Sequence, residues 1–319
     1  MGAFIVSTAI AVPDQVESSS ITAEKIGKSV EWVCKRTGVA ERHVAKIDDQ
    51  IENLAAVAAH RALCGKPPDA LINASVSTRQ LLPDLSVFIQ RALGFDGVPC
   101  FSVNANCLSF LVALKLAHGL IASGTYRSIL LVSAEFASRA RNYAKPESAA
   151  LLGDGAGSAL ISYSPDKNQS MPFFMHTWSD GAEATEIRSG GLHRHPSDPR
   201  TTDRDYLFSM NGPELFKLGN RKAVPAIKEF LHAENVEPNQ IDVVIPHQAS
   251  RPAIDVLLRI GFREDQIVSV IDRYGNCVAA SIPISLAHAE AEGRLKPGKK
   301  IFFVGTAAGF SVGGALWTW

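Results

Sequence analysis

The sequence predicts an α/β protein built by internal duplication, its sheets covered by helices on both faces. Three observations carry this prediction. Short apolar runs suited to buried strands alternate with helix-length amphipathic segments, no low-complexity linker separates them, and one helix with its flanking strands recurs 170 residues later.

Taken in order, residues 3–11 read as a buried strand and residues 50–64 as a helix of 3.6-residue periodicity. Strands follow at 70–75 and 98–103, with a helix at 85–92 between them. Residues 107–123 are apolar almost all round, as a buried central helix is, and Gly124 stops them. Strands are expected again at 128–134 and 156–162. Residues 180–204 gather Gly, His, Pro and Arg with mixed charge and no periodicity, which predicts a long surface loop where two halves would join. A helix is expected over 212–231, then strands at 243–246, 268–271, 300–304 and 314–319.

The repeat is more informative than any single motif. Asn106-Cys107 followed by LSFLVALKLAH, ending at His118, aligns without a gap on Asn276-Cys277 followed by VAASIPISLAH, ending at His288. Asn, Cys, Leu, Ala and His coincide. Each segment follows an apolar strand and precedes another, SILLVSA or IFFVGTA, which leads through a Gly-rich turn to GSALIS or GGALWT. The expected domains are an N-terminal half, 1–170, and a C-terminal half, 171–319. Approximate two-fold symmetry would bring the starts of the two equivalent helices together, placing Cys107 close to Asn276.

Composition narrows the function classes. Of the 319 residues, 46% are hydrophobic and 20% charged, a soluble globular profile. Lys plus Arg equals Asp plus Glu at 32 each, so no net field favours nucleic acid or an anionic membrane. No apolar run approaches the roughly 20 residues of a membrane span, and MGAFIVSTAIAVPDQVESSS lacks a basic leader region, so the expected compartment is the cytoplasm. Five cysteines without a CxxC pair fit neither a disulfide scaffold nor a zinc site. His193 and His195 in LHRHPSD lack a third ligand at suitable spacing, so no metal is expected.

Three residues could carry chemistry together. Cys107, at the expected start of a helix, would face unpaired N–H groups and the positive end of the helix dipole, which favour the thiolate. A lone cysteine can equally be a small buried hydrophobe. His247 follows the apolar run DVVIP and precedes a helix start with Ser250 as N-cap, so it projects from a strand end, where open α/β sheets place their sites. Asn276 lies in another strand-to-helix turn, where asparagine also serves simply as a cap. A thiol, an imidazole and an amide brought together form a nucleophilic constellation: cysteine attacks an acyl carbon while the other two hydrogen-bond the developing negative charge. Gly153-Asp154-Gly155-Ala156-Gly157 lacks the Lys-Ser/Thr of a phosphate loop and precedes a strand, so it reads as a tight turn beside a crowded site.

The chain resembles the thiolase superfamily, most of all its 3-ketoacyl-acyl-carrier-protein synthase III group. EWVCKRTGVAERH, VNANC, LLGDGAG, MNGPELFK, IPHQAS, YGNCVAASIP and the terminal Gly-rich strand fall in that group's order and spacing nearly end to end. The resemblance implies a five-layered αβαβα duplication and a homodimer. It implies acyl-coenzyme A or acyl-carrier protein as substrate, with no bound cofactor. It makes Cys107 the acyl-accepting nucleophile and assigns His247 and Asn276 to the carbonyl of a second thioester. Trp32 and Arg36 match residues that grip the adenine and phosphates of coenzyme A, and Lys217 and Arg251 join them as expected substrate-binding residues.

Departures from the pattern are informative. The AFGGGF of the family is replaced by Gly305-Thr306-Ala307-Ala308-Gly309-Phe310, so Thr306 stands where a phenylalanine is common, and Ala308 would supply the second oxyanion N–H. Leu82 replaces the Phe that often closes the acyl pocket. The arginine expected before Gly-Asp-Gly is absent from Ala144-Lys145-Pro146-Glu147, and Pro252 stands where a carrier-contacting arginine is usual, with Arg251 one place earlier. These features imply an acyltransferase that loads Cys107 and then condenses the acyl group with a second thioester or carbon nucleophile, in fatty-acid or polyketide-like biosynthesis. Transfer to an alcohol or amine, thioester hydrolysis and a non-catalytic partner subunit are the alternatives.

Overall fold

A computed structural model describes residues 2–63, 65–165 and 170–319. Met1, Cys64, which closes the expected helix 50–64, and residues 166–169, beside the expected division after residue 170, lie outside the described residues.

The first run of elements is β1 (Gly2–Ala11), β2 (Val16–Ser18), α1 (Ser19–Ile26), α2 (Val30–Thr37), β3 (Glu41–His43), α3 (Ile51–Ala62), β4 (Ala70–Asn73), α4 (Leu85–Ala92), β5 (Cys100–Ser102), α5 (Ser109–Ala122), β6 (Ser128–Phe136), α6 (Pro146–Leu151) and β7 (Asp154–Ser164). The second is β8 (Phe173–Thr177), β9 (Thr185–Glu186), β10 (Ser209–Met210), α7 (Gly212–Leu218), α8 (Val224–Ala233), β11 (Val243–Pro246), α9 (Arg251–Ile254), α10 (Val256–Ile260), α11 (Ile271–Tyr274), α12 (Ser281–Ala291), β12 (Lys300–Ala307) and β13 (Ser311–Thr318).

Two sheets repeat one topology. The five-stranded sheet runs β1-β7-β6-β4-β5 and the four-stranded sheet β8-β13-β12-β11, so an antiparallel hairpin and a parallel crossover strand recur in the same order. The fifth position of the second sheet is reduced to a single bridge between Val244 and Ile267. Residues 268–271 therefore do not form the expected strand. The buried Gln248 amide takes the place of ladder partners: its Nε2 donates to the carbonyls of Pro246 (3.1 Å) and Val268 (3.0 Å), and its Oε1 accepts from the Val270 N–H (3.1 Å). The chain then turns directly into α11.

Five layers follow from which faces are apolar. Ala55, Ala59, Leu85 and Ile89 of α3 and α4 pack on Leu71, Leu130 and Val132 of the first sheet. In the middle, Leu111 and Leu114 of α5 and Ile282 and Leu286 of α12 fill the space between Ile72, Ile129 and Leu131 of one sheet and Ile245, Ile301 and Phe303 of the other. On the far side, Ile227, Phe230 and Leu257 of α8 and α10 cover Val244, Phe302 and Val304. Strands covered on both faces carry near-continuous apolar runs, which is why they stood out in the sequence.

Local differences from the sequence reading are small. The helix expected over 212–231 is continuous but widens into a π turn at Gly219–Ala223. The loop over 180–204 holds the strand β9, which pairs with β10, and its charges pair locally, Arg188 with Glu186 (2.8 Å) and Arg200 with Asp198 (2.8 Å). His195 bonds Ser197 (2.7 Å), and no group of three or more His, Cys, Asp or Glu is arranged to hold a metal ion among the described residues. No helix among them is long and apolar enough to cross a membrane.

Candidate active site

Cys107 sits two residues before α5, in the turn that leads into it rather than within its first turn as expected. Asn106 adopts a left-handed backbone, φ 53°, which asparagine tolerates better than most side chains. Ser109 ties the turn: its hydroxyl accepts from the Ala105 N–H (2.9 Å) and donates to the Asn106 carbonyl (2.6 Å). The Asn106 amide reaches across to the carbonyl of Ala308 (3.4 Å), joining the turn to the end of β12. The backbone N–H groups of Ala308 and of Cys107 itself favour the Cys107 thiolate. The residue keeps partial exposure, yet its sulfur is desolvated by the protein around it. Desolvation pushes the thiol up to about 12, the charge of Glu135 adds to the rise, and the two N–H groups oppose it. In the free protein the thiol thus keeps its proton at neutral pH.

His247 extends the end of β11, its N–H donating to the Val304 carbonyl (2.8 Å). It is 5% exposed, its Nδ1 has no partner, and burial pushes its pKa down to about 4, so the imidazole is neutral at physiological pH. Gly305 lets the two sides of the site meet. A Cβ there would lie 2.7 Å from the His247 Cβ and 3.1 Å from Leu108 Cδ2. Gly305→Ala is expected to displace His247, lowering stability by about 1–3 kcal/mol through overpacking and slowing acyl transfer out of proportion to that loss. Denaturant unfolding beside single-turnover kinetics checks both parts.

Asn276 is 7% exposed, and its turn is pinned from two directions. Its N–H donates to the Leu151 carbonyl (2.9 Å), and its carbonyl accepts from the Gly153 N–H (3.1 Å). A Cβ at Gly153 would stand 2.0 Å from the Tyr274 carbonyl oxygen, and one at Gly275 (φ 66°) 2.8 Å from that of Leu151. The Gly-rich segment at 153–157 thus serves close backbone packing under Asn276. The Asn276 side chain accepts from the Val278 N–H (2.8 Å) and donates to the Ala249 carbonyl (3.3 Å), two residues beyond His247. The two halves therefore converge: Leu108, adjoining Cys107, meets Gly305, which meets His247, whose following loop meets Asn276. Cys277 is turned away, 1% exposed, with its sulfur toward the Tyr274 carbonyl (3.5 Å).

The other expected residues divide into two groups. Thr306 is half-buried between Gly305 and the Ala307-Ala308 pair, inside the converging region. Trp32 is half-buried and Arg36 exposed on α2, which packs against the start of α9 where a Cβ at Gly38 would meet the Arg251 Cβ at 2.5 Å. Arg36 has no hydrogen-bond or ion-pair partner among the described residues. Arg251 shares this surface, but Asp255 (2.6 Å) and Glu264 (2.7 Å) already hold its guanidinium. Lys217 lies on a separate open cavity of about 550 Å³ with Asp180, Glu214 and Arg221, which includes none of Cys107, His247 and Asn276. Leu82 is 85% exposed and is not gathered with the Cys107 group.

Sequence reasoning passed over Glu135. It is fully buried near the end of β6, and a carboxylate standing after the apolar run Ile129 to Val132, between Ala134 and Phe136, was the available signal.

The sequence model of the 3-oxoacyl-[acyl-carrier-protein (ACP)] synthase III family matches residues 101–187, and that of the family's C-terminal region matches 231–319. A Campylobacter curvus protein named beta-ketoacyl-[acyl-carrier-protein] synthase III is 34% identical over 98% of this chain and 96% of its own length. A Clostridium perfringens protein of the same name is 33% identical over 98% of each. Among solved structures, the 3-oxoacyl-[acyl-carrier-protein] synthase III of Aquifex aeolicus superposes with a TM-score of 0.89 at 29% identity, each chain covered in full. The priming beta-ketosynthase of the R1128 polyketide pathway superposes with a TM-score of 0.90 at 28% identity over 99% of this chain and 96% of that one.

Proposed function

Because the chain belongs to the 3-oxoacyl-[acyl-carrier-protein] synthase III family, and is thereby a β-ketoacyl-synthase-type acyltransferase, we propose that it acts in two half-reactions through Cys107, His247 and Asn276. In the first, the Cys107 sulfur attacks the carbonyl of an acyl-coenzyme A or acyl-carrier thioester. The new S–C bond forms, the carbon–sulfur bond to the carrier breaks, and the thiol proton leaves with the carrier thiolate. In the second, a malonyl thioester loses CO₂, its carbanion attacks the acyl carbon, and Cys107 is released and reprotonated.

One observation carries this reading above the others: the Asn106-Cys107 turn, His247 and Asn276 converge, through the Asn106 amide on the Ala308 carbonyl (3.4 Å), Gly305 between Leu108 and His247, and the Asn276 amide on the Ala249 carbonyl (3.3 Å), with the Ala308 and Cys107 N–H groups favouring the thiolate. Backbone donors beside the reacting sulfur suit the negative oxygen of a tetrahedral intermediate, and donors held by the fold cost no reorganisation when charge develops. The neutral His247 and the Asn276 amide supply further hydrogen bonds for the enolate of the acceptor thioester. Trp32 and the unpaired Arg36 at the adjoining surface fit the adenine and phosphates of coenzyme A. The pairing of Arg251 with two carboxylates and the loss of an arginine at Pro252 argue for weakened or altered docking of an acidic carrier protein at α9.

A homodimer belongs to the same reading. β5 is an unpaired edge of the first sheet, and Leu81 and Leu82, before α4, are 72% and 85% exposed. Leu82 would line an acyl pocket only from the other subunit. We divide the chain into functional halves at 1–170 and 171–319, each giving one side of the site, and place the enzyme in the cytoplasm, where its thiols stay reduced.

Thr306 bears on the second half-reaction. A hydroxyl near a malonyl carboxylate stabilises the ground state, whereas only interactions stronger in the transition state accelerate CO₂ loss. Wild type is therefore expected to decarboxylate malonyl thioesters slowly, and Thr306→Phe to raise the rate about tenfold. The measurement is CO₂ release from malonyl-coenzyme A and malonyl-carrier protein with the acyl-enzyme preformed. Rapid release by wild type, unchanged or slower in the variant, would remove Thr306 as an obstacle. Product mass separates carbon acylation from ester or amide formation and from hydrolysis.

A further inference from the structure

Two buried arginines hold the far side of the segment that pins Asn276. Arg42 lies on β3 and Arg141 between β6 and α6. The Arg42 Nη1 donates to the Ala150 carbonyl (2.5 Å), and the Arg141 Nε donates to that of Leu152 (3.2 Å). Both carbonyls stand at the C-terminal end of α6, where no further helical turn supplies donors. Leu152 is extended, so the carbonyls of Leu151 and Leu152 point to opposite sides. On one side the Leu151 carbonyl and the Gly153 N–H meet Asn276; on the other the carbonyls of Ala150 and Leu152 meet the arginines. The Arg42 stem closes the same contact, since a Cβ at Gly153 would stand 3.2 Å from the Arg42 Cβ and one at Gly275 3.6 Å.

We propose that Arg141, with Arg42 beside it, is a positioning residue that sets the Asn276 turn for condensation, an inference resting on Asn276 acting in the second half-reaction. The Leu152 carbonyl and the Gly153 N–H belong to one planar trans peptide. A donor fixed on that carbonyl therefore fixes the N–H that Asn276 accepts, and hydrogen bonds joined in series through a peptide strengthen one another. The guanidinium is itself anchored. Its Nη1 donates to Glu17 (2.6 Å), which also accepts from the Thr22 hydroxyl (2.7 Å) and the Lys25 ammonium (3.0 Å). Burial raises the Glu17 pKa, but the Arg141 charge and these bonds hold it down to about 2, so the carboxylate is charged at working pH. Glu17 faces Arg42 across the β2–β3 pair, and the Arg42 Nη2 donates to the Ser19 hydroxyl (2.9 Å). Arg141 thus reaches Glu17 and Leu152 from one rigid plane, a two-way grip that a lysine ammonium does not reproduce.

Arg141→Lys keeps a cation for Glu17 and loses the bond to Leu152. Acyl loading on Cys107 should stay within about twofold of wild type, while condensation from the preformed acyl-enzyme slows about tenfold. In the Asn276→Ala background the same substitution should add less than about twofold, because a residue acting through Asn276 then has nothing to act on. Glu17→Gln combined with Arg141→Gln removes both charges together, leaving neither buried and unpaired, and carries the test if Arg141→Lys does not fold. An undiminished further loss in Asn276→Ala, equal slowing of loading and condensation, or condensation at the wild-type rate in both Arg141 variants overturns the proposal. Asn276→Ala alone reports the ketosynthase reading: full-rate condensation there would remove the role of Asn276, whereas a slow Asn276→Ala with an additive Arg141 effect removes only the positioning.

Discussion

Cys107→Ala is expected to abolish condensation, lowering kcat by a factor on the order of 10⁴ or more, while Cys277→Ala leaves acyl loading in place. The two cysteines occupy equivalent positions in a duplicated sequence, so their difference must come from structure. Cys107 lies in a partly exposed turn where the Ala308 and Cys107 N–H groups favour its thiolate, whereas Cys277 is sealed at 1% exposure against the Tyr274 carbonyl. Burial raises the pKa of both thiols, so the difference lies in access: Cys107 keeps partial exposure in its turn, and Cys277 has almost none. Turnover by purified, folded Cys107→Ala within tenfold of wild type would contradict the assignment.

The second large effect belongs to His247 and Asn276. Each single alanine variant is expected to accept an acyl group at near-normal rate but to slow the condensation step by about 10²–10³-fold, the cost of one oxyanion-type donor. The acyl-enzyme should then accumulate. His247 suits this role because burial keeps it neutral, and Asn276 because its amide is held by Ala249 and Val278 in one orientation. Rapid-quench mass measurements of the acyl adduct, with and without the acceptor thioester, separate the two steps. Variants that fold normally yet fail to load would reassign His247 to proton removal from Cys107.

The repeat made most of the architecture legible. Matching Asn, Cys, Leu, Ala and His 170 residues apart predicted equivalent helices, and α5 and α12 pack against one another in the central layer. β8 escaped notice because it is an edge strand in which His176 and Thr177 break the apolar run, although its pairing with β13 repeats that of β1 with β7. The expected strand over 268–271 was misread for a different reason. Its apolar residues are buried beside Val244, but a Gln248 side chain takes the hydrogen bonds that a ladder would make, and periodicity carries no trace of that substitution.

The candidate site was legible as residue types and incomplete as geometry. Cys107, His247 and Asn276 could be named because strand ends and helix starts are readable, and Ala308 because its motif is. The close approach enforced at Gly305, and the hold of the Asn276 turn on the loop after His247, depend on how distant segments meet, which local pattern does not encode. Leu82 shows the converse: a motif position can be matched while its side chain stands exposed on its own chain.

One measurement tests the two half-reactions at Cys107 most directly: intact and peptide mass of wild-type protein mixed with an acyl-coenzyme A, then chased with a malonyl-carrier thioester. The predicted result is a single acyl adduct on the peptide containing Cys107, discharged by the chase as a 3-ketoacyl product longer by two carbons. An adduct on any other peptide, or a 3-ketoacyl product formed with no acyl-enzyme, would contradict it.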